Sequence, residues 1–170
     1  MQGMEKIWKD KHVSLMTKTR LVKAMILPVV LYGCETWTKT KAMEKRINAC
    51  EMWIWRRMLR VSWTEKRTNE SILQEIGHLR GSLTLGQTAA KQKLMFFGHV
   101  MRADGLEKEM MLACGEGERR RGRPRKRWME EIYEKTKMNL EELREATRDR
   151  DAWRRTIKAV ARIPRIDGTR

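Results

Sequence analysis

Residues 40–61 read TKAMEKRINACEMWIWRRMLRV, and their apolar side chains recur at steps of three and four residues. This spacing places them in one stripe along a helix, at Met43, Ile47, Cys50, Ile54, Met58 and Val61. Trp53 and Trp55 flank the stripe on opposite sides. The back of the helix carries three basic residues, Lys45, Arg56 and Arg60. The pattern predicts a long helix that buries one face and exposes a basic one.

The segment before this helix is predicted to be helical as well. Ser14 is a suitable N-cap for a helix over 15–37, and Pro28 should kink or interrupt it because proline lacks a backbone donor. The centre of this helix, 24–32, is apolar on every face, which predicts burial on most sides. The seven tryptophans could be core residues, a base-stacking surface or both, and we expect most of them to lie in the core.

Two more helices are predicted after residue 61. Asn69 as N-cap and Gly77 as a C-terminal stop bound a short one. The next covers 88–101, and Gly98 is expected near its end. No segment alternates apolar and polar residues with the period of a half-buried strand, so the chain is predicted to be all-α.

The helical pattern returns after Pro124. An apolar ridge is formed there by Trp128, Met129, Ile132 and Tyr133. Asn139 with Glu142 three residues later is typical of a capping box at the start of a helix. A closing helix that contains Trp153 should stop before Pro164.

The predicted architecture is a helical bundle of about five to seven helices in two parts joined by a basic loop. The expected ranges are a first helical domain over 1–102, a hinge rich in glycine and arginine over 103–124, a C-terminal helical segment over 125–163 and a tail over 164–170. A chain of 170 residues is long enough for one domain with an appended module.

The charge of the chain predicts a polyanionic partner. It has 38 Lys and Arg against 22 Asp and Glu, a net charge of +16, which favours nucleic acid first and an anionic membrane surface second. The longest apolar run, 24–32, is too short for a membrane span of about twenty residues. We therefore expect nucleic acid as partner, with no membrane and no small-molecule substrate, and we find no indication of an oligomeric state.

The three cysteines are widely spaced and odd in number, which predicts free thiols in a reducing compartment. The first ten residues are charged and lack the apolar core of a signal peptide. These features predict an intracellular protein, with the nucleus as one candidate location.

The basic run, residues 119–127, has seven cationic side chains: Arg119, Arg120, Arg121, Arg123, Arg125, Lys126 and Arg127. Its Gly-Arg-Pro core also matches an AT-hook, whose arginines enter the narrow minor groove of A·T-rich DNA. The alternatives are phosphate contact without sequence preference and a solvated linker. Phosphate contact is the interpretation that we prefer.

No constellation for catalysis or metal binding is found in the sequence. The possible metal ligands, Cys34, Cys50, His78, His99 and Cys114, lack the paired spacing of a zinc site. Glu130 and Glu131 open a helix, where carboxylates complement the helix dipole, as do Asp149 and Asp151. We predict no catalytic residue, no metal and no cofactor.

Five short strings stand out along the chain. They are LYGCETW at 31–37, WRRMLRVSW at 55–63, FGHVMR at 97–102, RGRPRKRW at 121–128 and DRDAWR at 149–154. Together and in this order, they resemble the thumb and C-terminal region of reverse transcriptases from non-LTR (LINE-type) retrotransposons. The resemblance covers about 21–158.

The resemblance implies a C-terminal fragment of an RNA-directed DNA polymerase from a transposable element. The family's polymerase centre is an aromatic-x-Asp-Asp turn that binds two metal ions, and this sequence contains no Asp-Asp pair. We therefore expect a chain without polymerase or endonuclease active sites, which binds nucleic-acid backbone and is not an enzyme. The alternatives are a non-functional structural remnant and an AT-hook-like DNA-binding protein.

The family's thumb is expected to contact the template–primer duplex. A groove between the first two long helices would then turn Lys45, Arg56, Arg57 and Arg60 toward a nucleic-acid backbone. The alternative is that these residues form an ordinary solvated helix back.

Overall fold

The structure is a computed structural model that describes residues 2–81, 83–113, 122 and 126–162. The predicted tail, 164–170, and most of the predicted hinge from residue 114 onward lie outside the described residues. Within the described ranges every regular element is a helix, which confirms the all-α prediction.

The α-helices are α1 (Glu5–Lys9), α2 (Leu15–Leu21), α3 (Leu27–Val30), α4 (Lys41–Leu59), α5 (Asn69–Ile76), α6 (Leu85–Arg102), α7 (Leu106–Ala113), α8 (Trp128–Thr136), α9 (Leu140–Arg148) and α10 (Arg150–Arg162). A π-helical turn, Val22–Ile26, joins α2 and α3 into one continuous helix. Short 3-10 turns occupy Gln2–Met4, Cys34–Thr36, Trp63–Glu65 and Gly77–Arg80.

The chain forms two compact units. The first contains Met1–Gly33 and Lys41–Gly86, and the second contains Cys34–Thr40 and Gln87–Arg170. The segment 34–40 and most of α6 thus belong to the same unit as the C-terminal helices.

The helix over 15–30 begins and is interrupted as predicted. The Ser14 hydroxyl accepts a hydrogen bond from the backbone N–H of Thr17, which confirms the N-cap. The π-helical turn directly precedes Pro28, and the N–H of Leu27 donates to the carbonyl of Val22 five residues back. Proline cannot continue the regular ladder, so the helix widens before it.

The prediction that residues 24–32 are buried on most sides is wrong. Within this segment Leu31 is buried, but Met25, Val29 and Tyr32 are 57%, 75% and 87% exposed. An all-apolar segment does not specify which of its sides has a neighbour, and here only one side is covered.

The helix α4 has the predicted buried stripe, which includes Ile47, Ile54 and Met58. Its buried face also contains Glu51, which the sequence did not single out. The Glu51 carboxylate accepts hydrogen bonds from the backbone N–H of Leu85, 3.0 Å away, and from the Trp55 indole. Glu51 thus satisfies a backbone donor at the start of α6 that the helix itself leaves unpaired.

The helix α6 continues through Gly98 to Arg102, one residue beyond the predicted end at 101. The indole Nε1 of Trp153 donates to the carbonyl of Leu94 across 3.0 Å, and the ring lies directly against Gly98. A Cβ at position 98 would overlap this indole. Glycine stands there because α6 and α10 approach closely, not because the helix stops.

The core of the second unit is built by α6, α8, α9 and α10. Its buried members are Leu94, Phe97, Val100, Met101, Ile132, Leu143, Trp153 and Ile157. The predicted ridge on α8 is confirmed, since Ile132 belongs to this core and Trp128, Met129 and Tyr133 pack against it. The capping box is also confirmed, because Asn139 accepts from the N–H of Glu142 and Glu142 accepts from that of Asn139.

A buried ion cluster joins the segment 34–40 to α6 and α8. The two carboxylate oxygens of Glu131 pair with Lys39 at 2.7 Å and with Lys93 at 2.8 Å, and each of the three residues is at most 4% exposed. Lys93 also donates to the carbonyl of Trp37 at 2.9 Å and lies 4.6 Å from the ring centre of Trp128. Glu131 is therefore more than the helix-dipole partner that the sequence predicted.

The ion cluster changes the protonation of its members. Burial alone raises the pKa of Glu131, but the hydrogen bonds and charges of Lys39 and Lys93 outweigh it and hold this pKa below its ordinary value of 4.5. Burial, together with the charges of Lys39 and Lys126, lowers the pKa of Lys93, although the hydrogen bond and charge of Glu131 oppose this. The lowered pKa of Glu131 and the lowered pKa of Lys93 are consistent with each other, because two ammonium groups share a single carboxylate.

Replacing the carboxylate of the ion cluster should destabilise the protein strongly. Glu131→Gln leaves two buried ammonium groups without a counter-charge, and we expect a loss of about 3–5 kcal/mol in the free energy of unfolding. Glu134→Gln on the same helix is the matched control, because Glu134 pairs with Lys126 at the surface and should cost about 0–1 kcal/mol. Urea unfolding followed by tryptophan fluorescence measures the free energy of unfolding of both variants. Equal losses of stability would contradict the assignment of Glu131 as the counter-charge of two buried ammonium groups.

The contribution of Glu131 should depend on pH. Since its pKa is lower in the folded than in the unfolded state, the stabilisation is complete above the ordinary value of 4.5 and is lost as pH falls through the folded pKa. The difference in unfolding free energy between wild type and Glu131→Gln should therefore narrow below pH 4.5. If the difference in unfolding free energy stays constant down to acid pH, the negative charge of Glu131 does not stabilise the folded protein.

Alanine should have opposite effects at the two glycines of α6. Gly98→Ala forces a methyl group against the Trp153 indole and should cost about 1–3 kcal/mol. Gly86→Ala has no such obstacle and should be neutral or stabilising by up to about 1 kcal/mol. Thermal unfolding by circular dichroism compares them, and a stabilising Gly98→Ala would refute the close approach.

Candidate nucleic-acid interface

A groove of about 1070 Å³ lies along the back of α4 in the first unit. It is lined by Lys45, Asn48, Ala49, Cys50, Met52, Trp53, Arg56, Arg57, Val61, Ser62, Trp63 and Asn69. Three of these described lining residues are cationic and none is acidic. The groove lies between α4 and the chain that follows it, not between the first two long helices as expected. We call it the basic groove.

Arg56 forms hydrogen bonds to the chain segment that makes one wall of the basic groove. Its guanidinium donates to the carbonyl of Arg67 at 2.6 Å and to the side-chain oxygen of Asn69 at 3.0 Å. Its central carbon lies 5.9 Å from the ring centre of Trp63. Arg56 thus ties α4 to the start of α5, and it has a structural role beside its charge.

Asn69 was expected to cap α5, and this prediction is wrong by one residue. The N-cap is Thr68, whose hydroxyl accepts from the backbone N–H of Ser71. The Asn69 side chain is therefore available to Arg56. The predicted C-terminal stop at Gly77 is confirmed, with a positive φ of 52° that favours glycine.

The turn that carries Trp63, residues 60–66, is fixed by local hydrogen bonds. Ser62 accepts from the N–H of Thr64, and the Glu65 carboxylate accepts from the N–H of Ser62 at 2.9 Å, which together form a capping box. Arg60 and Lys66 at the two ends have left-handed φ angles of 60° and 46°. We call this segment the Trp63 turn.

Two tryptophans at the basic groove are open to solvent. Trp63 is 88% exposed and Trp53 is 53% exposed. The expectation that most tryptophans are core residues holds for Trp8, Trp55 and Trp153, which are buried, but fails at the groove. Trp53 and Trp55 both flank the buried stripe of α4, so their spacing does not show that Trp53 is the exposed one, and nothing local distinguishes Trp63.

The structure brings only some of the predicted site residues together. Lys45 and Arg56 line the basic groove with Arg57, while Arg60 lies beyond the end of α4 and is not among the lining residues. In the basic run, Lys126 pairs with Glu134 at 2.6 Å and Arg127 precedes α8. The other members of the run, Arg119, Arg120, Arg121, Arg123 and Arg125, lie outside the described residues.

Neither described cysteine is poised as a nucleophile. Burial raises the pKa of the Cys34 thiol, which donates to the side-chain oxygen of Gln92. Burial likewise raises the pKa of Cys50. A raised pKa keeps a thiol protonated near neutral pH and therefore unreactive.

The described part of the chain holds no group of three His, Cys, Asp or Glu side chains that could bind a metal ion. In the same residues, none of the helices combines the length and the apolar character that crossing a membrane requires.

Comparisons with known proteins give one relationship. No protein-family model matches the sequence, and no solved structure matches it. Over 88 residues the chain is 28% identical to a transposon-derived protein of Caenorhabditis elegans. The match covers 50% of this chain and 30% of that protein, so the chain spans well under half of its relative. The chain is thus distantly similar to a transposon-derived protein.

Proposed function

We propose that this chain is a non-catalytic segment of a protein related to non-LTR retrotransposon reverse transcriptases, and that it binds the nucleic-acid backbone without sequence preference. The similarity to a transposon-derived protein supports the origin. The five ordered strings, from LYGCETW at 31–37 to DRDAWR at 149–154, support the finer assignment to reverse transcriptases.

The observation that carries the binding proposal is the basic groove. Lys45, Arg56 and Arg57 line it, and no carboxylate is present among its described lining residues to compete with a phosphate. The net charge of +16 adds a long-range attraction for any polyanion. Flexible cations that meet phosphates do not read base edges, so this mode of binding is independent of sequence.

The basic run should contribute to this binding through phosphate contacts. Replacing its five arginines, Arg119, Arg120, Arg121, Arg123 and Arg125, by alanine should weaken binding to all sequences alike. Each lost phosphate contact reduces the slope of log K against log salt by about 0.9 on duplex DNA, so the loss of all five should make the slope shallower by about 4.5. Fluorescence anisotropy over a salt series measures both quantities.

A matched control removes the same number of charges from another surface. The exposed arginines of α9 and α10 are Arg144, Arg148, Arg150, Arg154 and Arg155. Their replacement by alanine should change the salt slope much less. Equal slopes for the two quintuple variants would show that only net charge matters.

Selective loss of a preference for A·T-rich duplex would favour an AT-hook, and magnesium-dependent primer extension would contradict a non-catalytic segment.

A further inference from the structure

We propose that the basic groove takes single-stranded nucleic acid, with bases stacked on Trp63 and Trp53 and phosphates beside Lys45 and Arg57. This inference rests on the proposed function, because it specifies which form of nucleic acid the groove binds. It assigns the two exposed tryptophans a role in contacting the ligand.

Trp63 is held in a defined position although it is almost fully exposed. The capping box fixes the backbone at Ser62 and Glu65, and the guanidinium of Arg56 lies 5.9 Å from the centre of the indole ring. Arg56 is itself fixed by hydrogen bonds to Arg67 and Asn69. An indole that is 88% exposed gains little from burial in the free protein, so its fixed position benefits a ligand more than the fold.

The backbone on both sides of Trp63 is in an unfavourable conformation. Left-handed φ angles cost non-glycine residues roughly 1–2 kcal/mol each, and Arg60 and Lys66 both adopt them. All three described non-glycine residues with a positive φ stand at helix ends: Arg60 directly follows α4, Lys66 is the C-cap of the 3-10 turn Trp63–Glu65, and Lys137 is the C-cap of α8. These left-handed residues end α4 and the 3-10 turn Trp63–Glu65, so they fix the path of the chain that carries the exposed Trp63.

The combination of rings and cations fits a single strand better than a duplex. Bases in a duplex are stacked on each other, so an aromatic side chain reaches their faces only where they are unpaired. Single-strand-binding surfaces combine a positive groove along the backbone with aromatic rings on which bases stack. The basic groove has both, in Lys45 and Arg57 and in Trp53 and Trp63.

The second unit provides an internal contrast. A groove of about 590 Å³ there is lined mainly by apolar residues such as Met111 and Met129, and its charged lining residues are one cation, Arg127, and two carboxylates, Glu107 and Glu130. Two carboxylates would repel a phosphate backbone at short range. A cationic lining without carboxylates, which suits the basic groove to a nucleic acid, is thus absent from this other groove.

The test measures binding of the full chain to three labelled probes of equal length. These are a mixed-sequence DNA single strand, the matching blunt duplex and an abasic strand that keeps the phosphates but has no bases. Wild type should bind the single strand more tightly than both the duplex and the abasic strand. Trp63→Ala and Trp53→Ala should each weaken binding to the single strand on the order of 5- to 100-fold, which is the range for the loss of one stacked base. Binding to the abasic strand should not change.

Salt dependence separates stacking from charge. Stacking releases no counterions, so Trp63→Ala should lower the affinity without changing the salt slope. Arg57→Ala should make the slope shallower by about 0.7 on a single strand. Trp63→Phe should restore part of the affinity, because a phenyl ring still stacks. Tyr32→Ala is the control, since Tyr32 is 87% exposed in the same unit but does not line the groove.

Each other result would overturn a specific statement. Unchanged single-strand affinity in both tryptophan variants, or an equal loss on the abasic strand, would refute stacking and leave backbone binding in place. The same loss for Tyr32→Ala would also refute it. Failure of wild type to bind any of the three probes would overturn the proposed function itself.

Discussion

The second unit depends on the buried ion cluster of Glu131, Lys39 and Lys93. Transfer of a charge into a protein interior costs several kcal/mol per ion, which only complete pairing can offset. Both carboxylate oxygens of Glu131 are paired, and Lys93 has two further partners in the Trp37 carbonyl and the Trp128 ring. The cluster joins three segments that are far apart in sequence, so it specifies their arrangement more strictly than apolar contacts alone would.

Features that depend on near neighbours in the sequence were predictable. The cap at Ser14, the interruption before Pro28 and the capping box at Asn139 each involve residues at most five positions apart. The buried stripe of α4 follows from its spacing in the same way. Features that depend on distant partners were not predictable, because Gly98 needs Trp153 and Glu131 needs Lys39 and Lys93.

The candidate site shows the same division. The basic back of α4 was predicted from the spacing of Lys45 and Arg56 along one helix. The second wall of the groove was not, because it forms only when the guanidinium of Arg56 reaches the chain at 67–69. Residue type predicted only that most of the tryptophans lie in the core, and Trp63 is an exception, in a turn whose two ends have left-handed backbone angles.

Charge alone cannot explain a preference for one form of nucleic acid. At an ionic strength of 0.1 M the field of an exposed charge is screened within about 10 Å, so most of the +16 charge attracts a polyanion without orienting it. Discrimination must therefore come from the few groups inside the groove. Of these, Lys45 and Arg57 act on phosphates, which single strands and duplexes share. The indoles of Trp53 and Trp63 act on base faces, which only unpaired strands expose, and so the preference for a single strand depends on them.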